Sequence, residues 1–280
     1  MKTSAQTGAA GGNPSAPVAA RAAHPLPSPF WAVYDMLASG LPEGARVDAF
    51  AAGISWFGVR AGGGLGLAMS PRETPVRIGP AGRVAGSPLH EIAALARSWD
   101  FGEAALGVAA LNAHYNQPAR ARASAEAAGC VFSGTGASVF SRMLPRIAGH
   151  RVAVVGHFRG IEDLARVCKL TILERRPQPG DLPDPACEAV LPESDYVFIT
   201  GSTLINKTLP RLLELARGAF VCLAGPTTPL APGLFKFGVN LLAGLVVENP
   251  DEVWPAVQEG GGHAFFERGA RMVQIESPGQ

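Results

Sequence analysis

Charge is scarce in this 280-residue sequence: 17% of residues are Asp, Glu, Lys or Arg, and the formal net charge is +1. With no basic stripe and no interleaving of basic and aromatic residues, a nucleic-acid partner is not expected. Long apolar runs are also missing, so no membrane-spanning helix is expected. Cys130, Cys168, Cys187 and Cys222 are scattered without a Cys-x-x-Cys pair, which argues against a structural zinc site and a disulfide framework. There is no His-Glu-x-x-His and no Gly-x-Ser-x-Gly elbow, so zinc-protease and serine-hydrolase chemistry lose their usual signatures. The glycine-rich stretch 62–66 is not followed by Lys-Ser/Thr or a helical pattern, and reads as a hairpin loop rather than a phosphate loop.

Apolar residues make up 47% of the chain, enough for a sizeable core in one or two domains. The first 27 residues, rich in Ala, Gly, Pro and Ser, lack the apolar centre of a secretory signal; they read as a disordered tail on a cytoplasmic protein.

Residues 28–125 read as a small α+β domain. Ser28-Pro29 and Ser87-Pro88 each place a capping residue before a proline that opens a helix. Between them, 47–51, 54–59 and 65–69 predict antiparallel strands joined by tight turns. A helix over 101–115 ends in a polar cluster where Asn112 and Asn116, spaced i, i+4, share a face. Both amides can reach one ligand, or they can satisfy the carbonyls of a helix end.

Residues 126–145 read as a connection leading into a helix near 139–144, and 146–280 as a second domain. Strand candidates at 151–158, 170–173, 196–199, 219–223 and 244–247 alternate with helix-sized segments, which implies a doubly wound, mostly parallel α/β sheet. Asp184-Pro185, Thr228-Pro229 and Asn249-Pro250 mark helix starts, the last with Glu252 at capping-box spacing. In such a sheet ligands sit at the carboxyl ends of the strands. There the sequence places Gly156, His157 and Phe158, then Glu174, Arg175 and Arg176, then Thr200, Gly201, Ser202 and Thr203 with Asn206 and Lys207, and finally Gly225, Pro226, Thr227 and Thr228. The hydroxyls suit a polar or anionic small molecule, although Ser, Thr and Asn also cap helices routinely. Glu174 lies 18 residues after Gly156, close to the offset of about 20 at which an acid meets a dinucleotide ribose. The Gly-x-Gly-x-x-Gly fingerprint is absent, however, and His157 and Phe158 would obstruct a pyrophosphate. Phe158 can stack on a flat ring, and His157 can serve as ligand, acid or base, with Glu174 as a second metal donor and Asp181 and Asp184 able to gather beside them.

The motifs Val154-Val-Gly-His-Phe158, Leu173-Glu-Arg-Arg-Pro177, Pro179-Gly-Asp181, Ile199-Thr-Gly-Ser-Thr-Leu-Ile-Asn-Lys-Thr208 and Gly225-Pro-Thr-Thr-Pro229 together resemble the domain-of-unknown-function family labelled "putative heavy-metal chelation". The segment from about Phe30 to Asn116 resembles that family's usual partner, a domain like the amino-terminal domain of enolase. The resemblance implies a cleft between an enolase-like cap and a Rossmann-like domain, and a role in handling metals or metal-binding organic molecules. It carries no enolase chemistry, because the catalytic barrel is absent.

The leading expectation is therefore a small anionic or metal-chelating molecule, or its metal complex, held between the domains, in a chain compatible with a homodimer. An enzyme using NAD(P) or S-adenosylmethionine, and a carrier of molybdate or phosphate, are the competing expectations.

Overall fold

The computed structural model describes residues 28–72, 78–134 and 136–278; the tail read at 1–27 and the side chain of Ser28 lie outside the described set. After α1 (Ser28–Ser39), strands β1 (Val47–Ala52), β2 (Trp56–Ala61) and β3 (Gly64–Met69) form an antiparallel sheet in that order. Gly62 and Gly63, with φ of 55° and 79°, make the two-residue turn from β2 to β3. Ile54, expected inside a strand, is instead 85% exposed at the β1–β2 turn. The turn is closed by Gly53 N–H on the Trp56 carbonyl.

Helices α2 (Leu89–Ala94), α3 (Phe101–Tyr115) and α4 (Pro118–Ala127) follow. Asp100 caps α3 by accepting from the N–H groups of Gly102 and Glu103. Pro88, not Ser87, occupies the cap position of α2, and the Ser87 hydroxyl donates to the Arg83 carbonyl. Helix α3 is buried nearly all round. It lies so close to β3 that a Cβ on Gly66 would fall 2.0 Å from the Ala113 nitrogen, and one on Gly64 2.4 Å from the Ala113 carbonyl oxygen. Only glycine permits that approach.

The second sheet contains β4 (Val131–Ser133), β5 (Arg151–Val155), β6 (Lys169–Glu174), β7 (Leu182–Pro183), β8 (Tyr196–Thr200), β9 (Phe220–Ala224), β10 (Leu241–Val247) and β11 (Ala270–Glu276). Its helices are α5 (Val139–Ile147), α6 (Cys187–Val190), α7 (Leu209–Leu215) and α8 (Pro250–Gln258). The order is β4-β11-β10-β9-β8-β5-β6-β7, parallel from β10 to β7, with β11 antiparallel to both β10 and β4. Counting from β5, this is the 3-2-1-4-5-6 order of a Rossmann fold, and the order reverses between β5 and β8. The expected α/β class holds. The stretch read as a connection also contributes the edge strand β4, and the helix expected near 139–144 is α5.

Alternation along the strands divides the core. Val152, Val154, Phe198 and Cys222 face α5, together with Val139, Phe140, Met143 and Ile147. Ala153, Val155, Ile199 and Leu223 face the other way into a core continuous with Tyr34, Leu37, Leu106 and Leu111 of the first domain. The apolar interior thus runs continuously through both domains.

Three expected helix starts differ in detail. Asn249 stands at the cap of α8 without a side-chain cap bond. Asp184 opens only a short 3-10 turn and pairs with Arg175, Nε to Oδ2 3.4 Å. No helix starts at Thr228-Pro229; the next helical turn is the 3-10 segment Pro232–Phe237.

Candidate functional site

The carboxyl ends of β5, β8 and β9 meet at the point where the strand order reverses. Gly156 follows β5 and Gly225 follows β9, and both have strongly positive φ, 102° and 108°. Between them stands Thr200, the last residue of β8. The Phe158 ring bridges the glycines: its Cε2 and Cε1 lie 3.8 and 3.6 Å from the positions a Cβ would take on Gly156 and Gly225. The ring packs edge-on against Phe140 at the start of α5, with centroids 5.2 Å apart, and is half-buried. It occupies the place where a dinucleotide fold would present bare backbone to a pyrophosphate.

The Thr200 and Ser202 hydroxyls are 3.0 Å apart, and Ser202 N–H reaches Thr200 Oγ1 at 3.4 Å. The turn that follows is a four-residue 3-10 segment, Gly201–Leu204, with α7 beginning only at Leu209. Thr203 is buried and donates to the Thr200 carbonyl at 2.6 Å. Asn206 turns its Oδ1 to the Thr208 N–H and hydroxyl, 3.1 and 2.7 Å. Gly201 is needed for packing, since a Cβ there would lie 2.6 Å from the Thr228 nitrogen.

His157, on the rim, sets Nδ1 3.5 Å from Asp181 Oδ2. The Asp181 side chain is only 4% exposed, and its Oδ2 also accepts the Gln178 N–H at 2.9 Å. Glu174, the sequence candidate for a ribose or a metal, instead accepts from the N–H groups of Arg175 and Arg176 at 2.7 and 3.4 Å. Its carboxylate is thereby used to shape its own loop. That loop touches the first domain: Arg176 donates to the Arg72 carbonyl at 3.3 Å, and the Arg175 guanidinium lies 5.8 Å from the Phe101 ring centre. The rim is therefore made by both domains, and its Arg175 and Arg176 stand among the carboxylates of Glu174, Asp181 and Asp184.

Asn112 and Asn116 do share a face, and that face is spent on backbone. Asn112 Nδ2 donates to the carbonyls of Leu67 and Thr227 at 2.7 and 3.0 Å. Asn116 donates to Thr228 and Leu245 and accepts from Leu230 N–H, all at 2.9 Å. The register of β10 with β9 ends at Ala243, so the Leu245 carbonyl projects beyond it and Asn116 supplies the missing partner. Thr227 Oγ1 accepts the Met69 N–H at 3.0 Å, satisfying the edge of β3. Asn112 Oδ1 and Thr228 Oγ1 are buried without a partner.

Lys207 is neither solvated nor at the crevice mouth. It is 4% exposed, with a left-handed φ of 67°. Its Nζ donates to the Ile205 and Leu204 carbonyls at 2.8 and 3.3 Å and lies 5.5 Å from the Tyr34 ring centre. Burial pulls its pKa down to about 7. The Tyr34 hydroxyl donates to the same Leu204 carbonyl at 3.0 Å, and burial raises its pKa. The pair ties α1 to the segment after β8.

Among the described residues no group of three or more His, Cys, Asp or Glu is placed to hold a metal ion. All four cysteines are free, and burial pushes the Cys187 thiol up to about 11 and raises the Cys222 thiol also, away from the thiolate a soft metal prefers. The reachable site thus contracts to Gly156, His157, Phe158, Thr200 and Ser202, with Gly225 buried against the Phe158 ring. Its rim adds Arg175 and Arg176, which follow Glu174 after β6, and Asp181 beside His157. The signal for Asp181 is the Pro179-Gly180-Asp181 turn, with Gly180 at φ 100°, which folds the β6 loop back on itself.

Residues 34–115 and 138–276 match two family models, both described as "Putative heavy-metal chelation". A protein of unknown function from Desulfitobacterium hafniense DCB-2 is 38% identical. Its crystal structure superposes with a TM-score of 0.80 over 88% of this chain and 98% of that one. A crystal structure from Pyrococcus horikoshii, also of a protein of unknown function, shares the fold at 23% identity, with a TM-score of 0.69 over 89% and 98% of the two chains. An uncharacterised protein of Methanocaldococcus jannaschii is 29% identical over 200 residues, 67% of this chain and 71% of that protein. Among the described residues, no helix is long and apolar enough to cross a membrane. On its matches along both domains and its likeness to the Desulfitobacterium structure, the chain belongs to the family described as "Putative heavy-metal chelation".

Proposed function

We propose that this protein binds a compact, oxygen-rich chelating molecule, or its metal complex, where the carboxyl ends of β5, β8 and β9 face the first domain. The observation that carries the reading is the Phe158 ring set across two positive-φ glycines where the strand order reverses. This gives a flat apolar floor, beside which the Thr200 and Ser202 hydroxyls and the His157 imidazole supply polar contacts. Arg175 and Arg176 on the rim suit the carboxylate or hydroxamate oxygens that chelators carry. Among the described residues no three donors of the protein converge on a metal, so the chelator would provide most of the coordination.

A nucleotide cofactor is less well served. Phe158 fills the pyrophosphate seat, and Glu174 is held by its own loop. Calorimetric titration of the full chain with Cu(II)–nitrilotriacetate, NAD and S-adenosylmethionine tests the reading. Binding of the metal chelate alone, abolished in a His157→Ala, Phe158→Ala double variant, is the expected result. Tight binding of either nucleotide, or chelate binding unchanged in the double variant, overturns it.

A further inference from the structure

Asp181 carries an observation the reading above does not use. A carboxylate whose side chain is 4% exposed is costly unless it is partnered. Its partners are the Gln178 N–H, 2.9 Å from Oδ2, and the imidazole of His157, with Nδ1 3.5 Å from that oxygen. The turn that delivers it is closed by Asp181 N–H on the Gln178 carbonyl at 2.9 Å. A backbone turn thus fixes the carboxylate, and the carboxylate faces one particular ring nitrogen. Histidines that ligate metals usually turn their second nitrogen to a carboxylate or carbonyl, which sets the tautomer and makes the ligating nitrogen a better donor. In metal-free sites such contacts are often long and tighten when the ligand arrives.

We infer that Asp181 is a positioning residue: it holds Nδ1–H of His157, so that His157 Nε2 supplies a single protein ligand to a metal already carried by an organic chelator. This rests on the proposed chelate site and specifies its cargo as a chelate with an open coordination position. A bare ion needs several protein donors, whereas a chelate that already fills most positions needs only one.

Pulsed electron paramagnetic resonance of the full chain with Cu(II)–nitrilotriacetate tests the inference, because a copper-bound imidazole reveals its remote nitrogen and the hydrogen bond that nitrogen makes. The parent is expected to show one coordinated imidazole per chain. His157→Gln should lose that signal. Asp181→Asn should keep it with altered remote-nitrogen frequencies and bind about tenfold more weakly, while Asp181→Glu restores much of both. Thermal unfolding of each variant checks that the fold is intact. An imidazole signal that survives His157→Gln, or remote-nitrogen frequencies identical in the parent and Asp181→Asn, overturns the inference. Chelate that binds by calorimetry without any imidazole coordination removes the His157–Asp181 role and leaves the site standing. No chelate binding at all removes both.

Discussion

Replacing Lys207 with Met converts its burial into a measurable pH dependence. Lys207 has its pKa pulled from 10.5 to about 7 by desolvation, and its Nζ contacts two backbone carbonyls and an aromatic ring. A depressed folded-state pKa means that the unfolded chain binds the proton more tightly. Above about pH 10.5 the amine is neutral in both states and the lysine carries no protonation penalty. Between about 10.5 and 7 the unfolded state gains a proton that the folded state resists, so stability falls as pH falls. Below about 7 both states are protonated and the loss is complete. The span corresponds to about 5 kcal/mol at 1.36 kcal/mol per pKa unit. Met fills similar volume and leaves the left-handed backbone strain in place. It forfeits hydrogen bonds worth about 1 kcal/mol each, although the Leu204 carbonyl keeps the Tyr34 hydroxyl. Lys207→Met should therefore be more stable than the parent by about 3 kcal/mol at pH 6.5, with the advantage shrinking toward zero or reversing near pH 10. Urea denaturation of both proteins from pH 6 to 10, read as their difference, cancels the other titrating groups. A difference that does not change with pH, or a variant less stable throughout, would refute the reasoning.

Two further substitutions probe the seam between the domains. Asn116→Leu strands the Thr228 and Leu245 carbonyls and the Leu230 N–H in the interior. At about 1–3 kcal/mol for each buried group left unpaired, a loss of several kcal/mol is expected in urea denaturation, and a loss below about 1 kcal/mol would contradict the assignment. Gly66→Ala places a Cβ 2.0 Å from the Ala113 nitrogen, a clash with backbone that cannot swing aside. It should cost at least 3 kcal/mol, roughly the upper range of overpacking, whereas Gly62→Ala, in open space at φ 55°, should cost about 1 kcal/mol.

The parallel strands were legible because β5, β8 and β9 carry continuous β-branched and apolar runs, the pattern of strands covered on both faces. Helix α3 was legible through its Ala and Leu content, and the β2–β3 turn through its glycines. Strand β11 was not: Ala270–Glu276 alternates weakly, and its role comes from antiparallel pairing with β10. Helix α4 escaped because only Ala121 and Ala125 are buried along an otherwise solvated Ala-Arg sequence. At the site, Gly156, Phe158 and Thr200 do converge as their positions after successive strands require. The shared face of Asn112 and Asn116 follows from their i, i+4 spacing, but an amide serves a peptide carbonyl as well as it serves a ligand, and only the end of the β9–β10 register decides between them. Lys207 carries no local mark of burial; its environment is made by Tyr34, 173 residues earlier in the chain.

The central claim is that the crevice over Gly156, Thr200 and Gly225 holds a chelating molecule or its metal complex. Mass spectrometry of the freshly purified chain, native and denatured, paired with elemental analysis of the same sample, tests it most directly. The account predicts an organic adduct, with or without metal, that is lost on denaturation. Metal or oxyanion at one equivalent per chain with no organic mass would contradict it and point to direct ligation or an anion carrier.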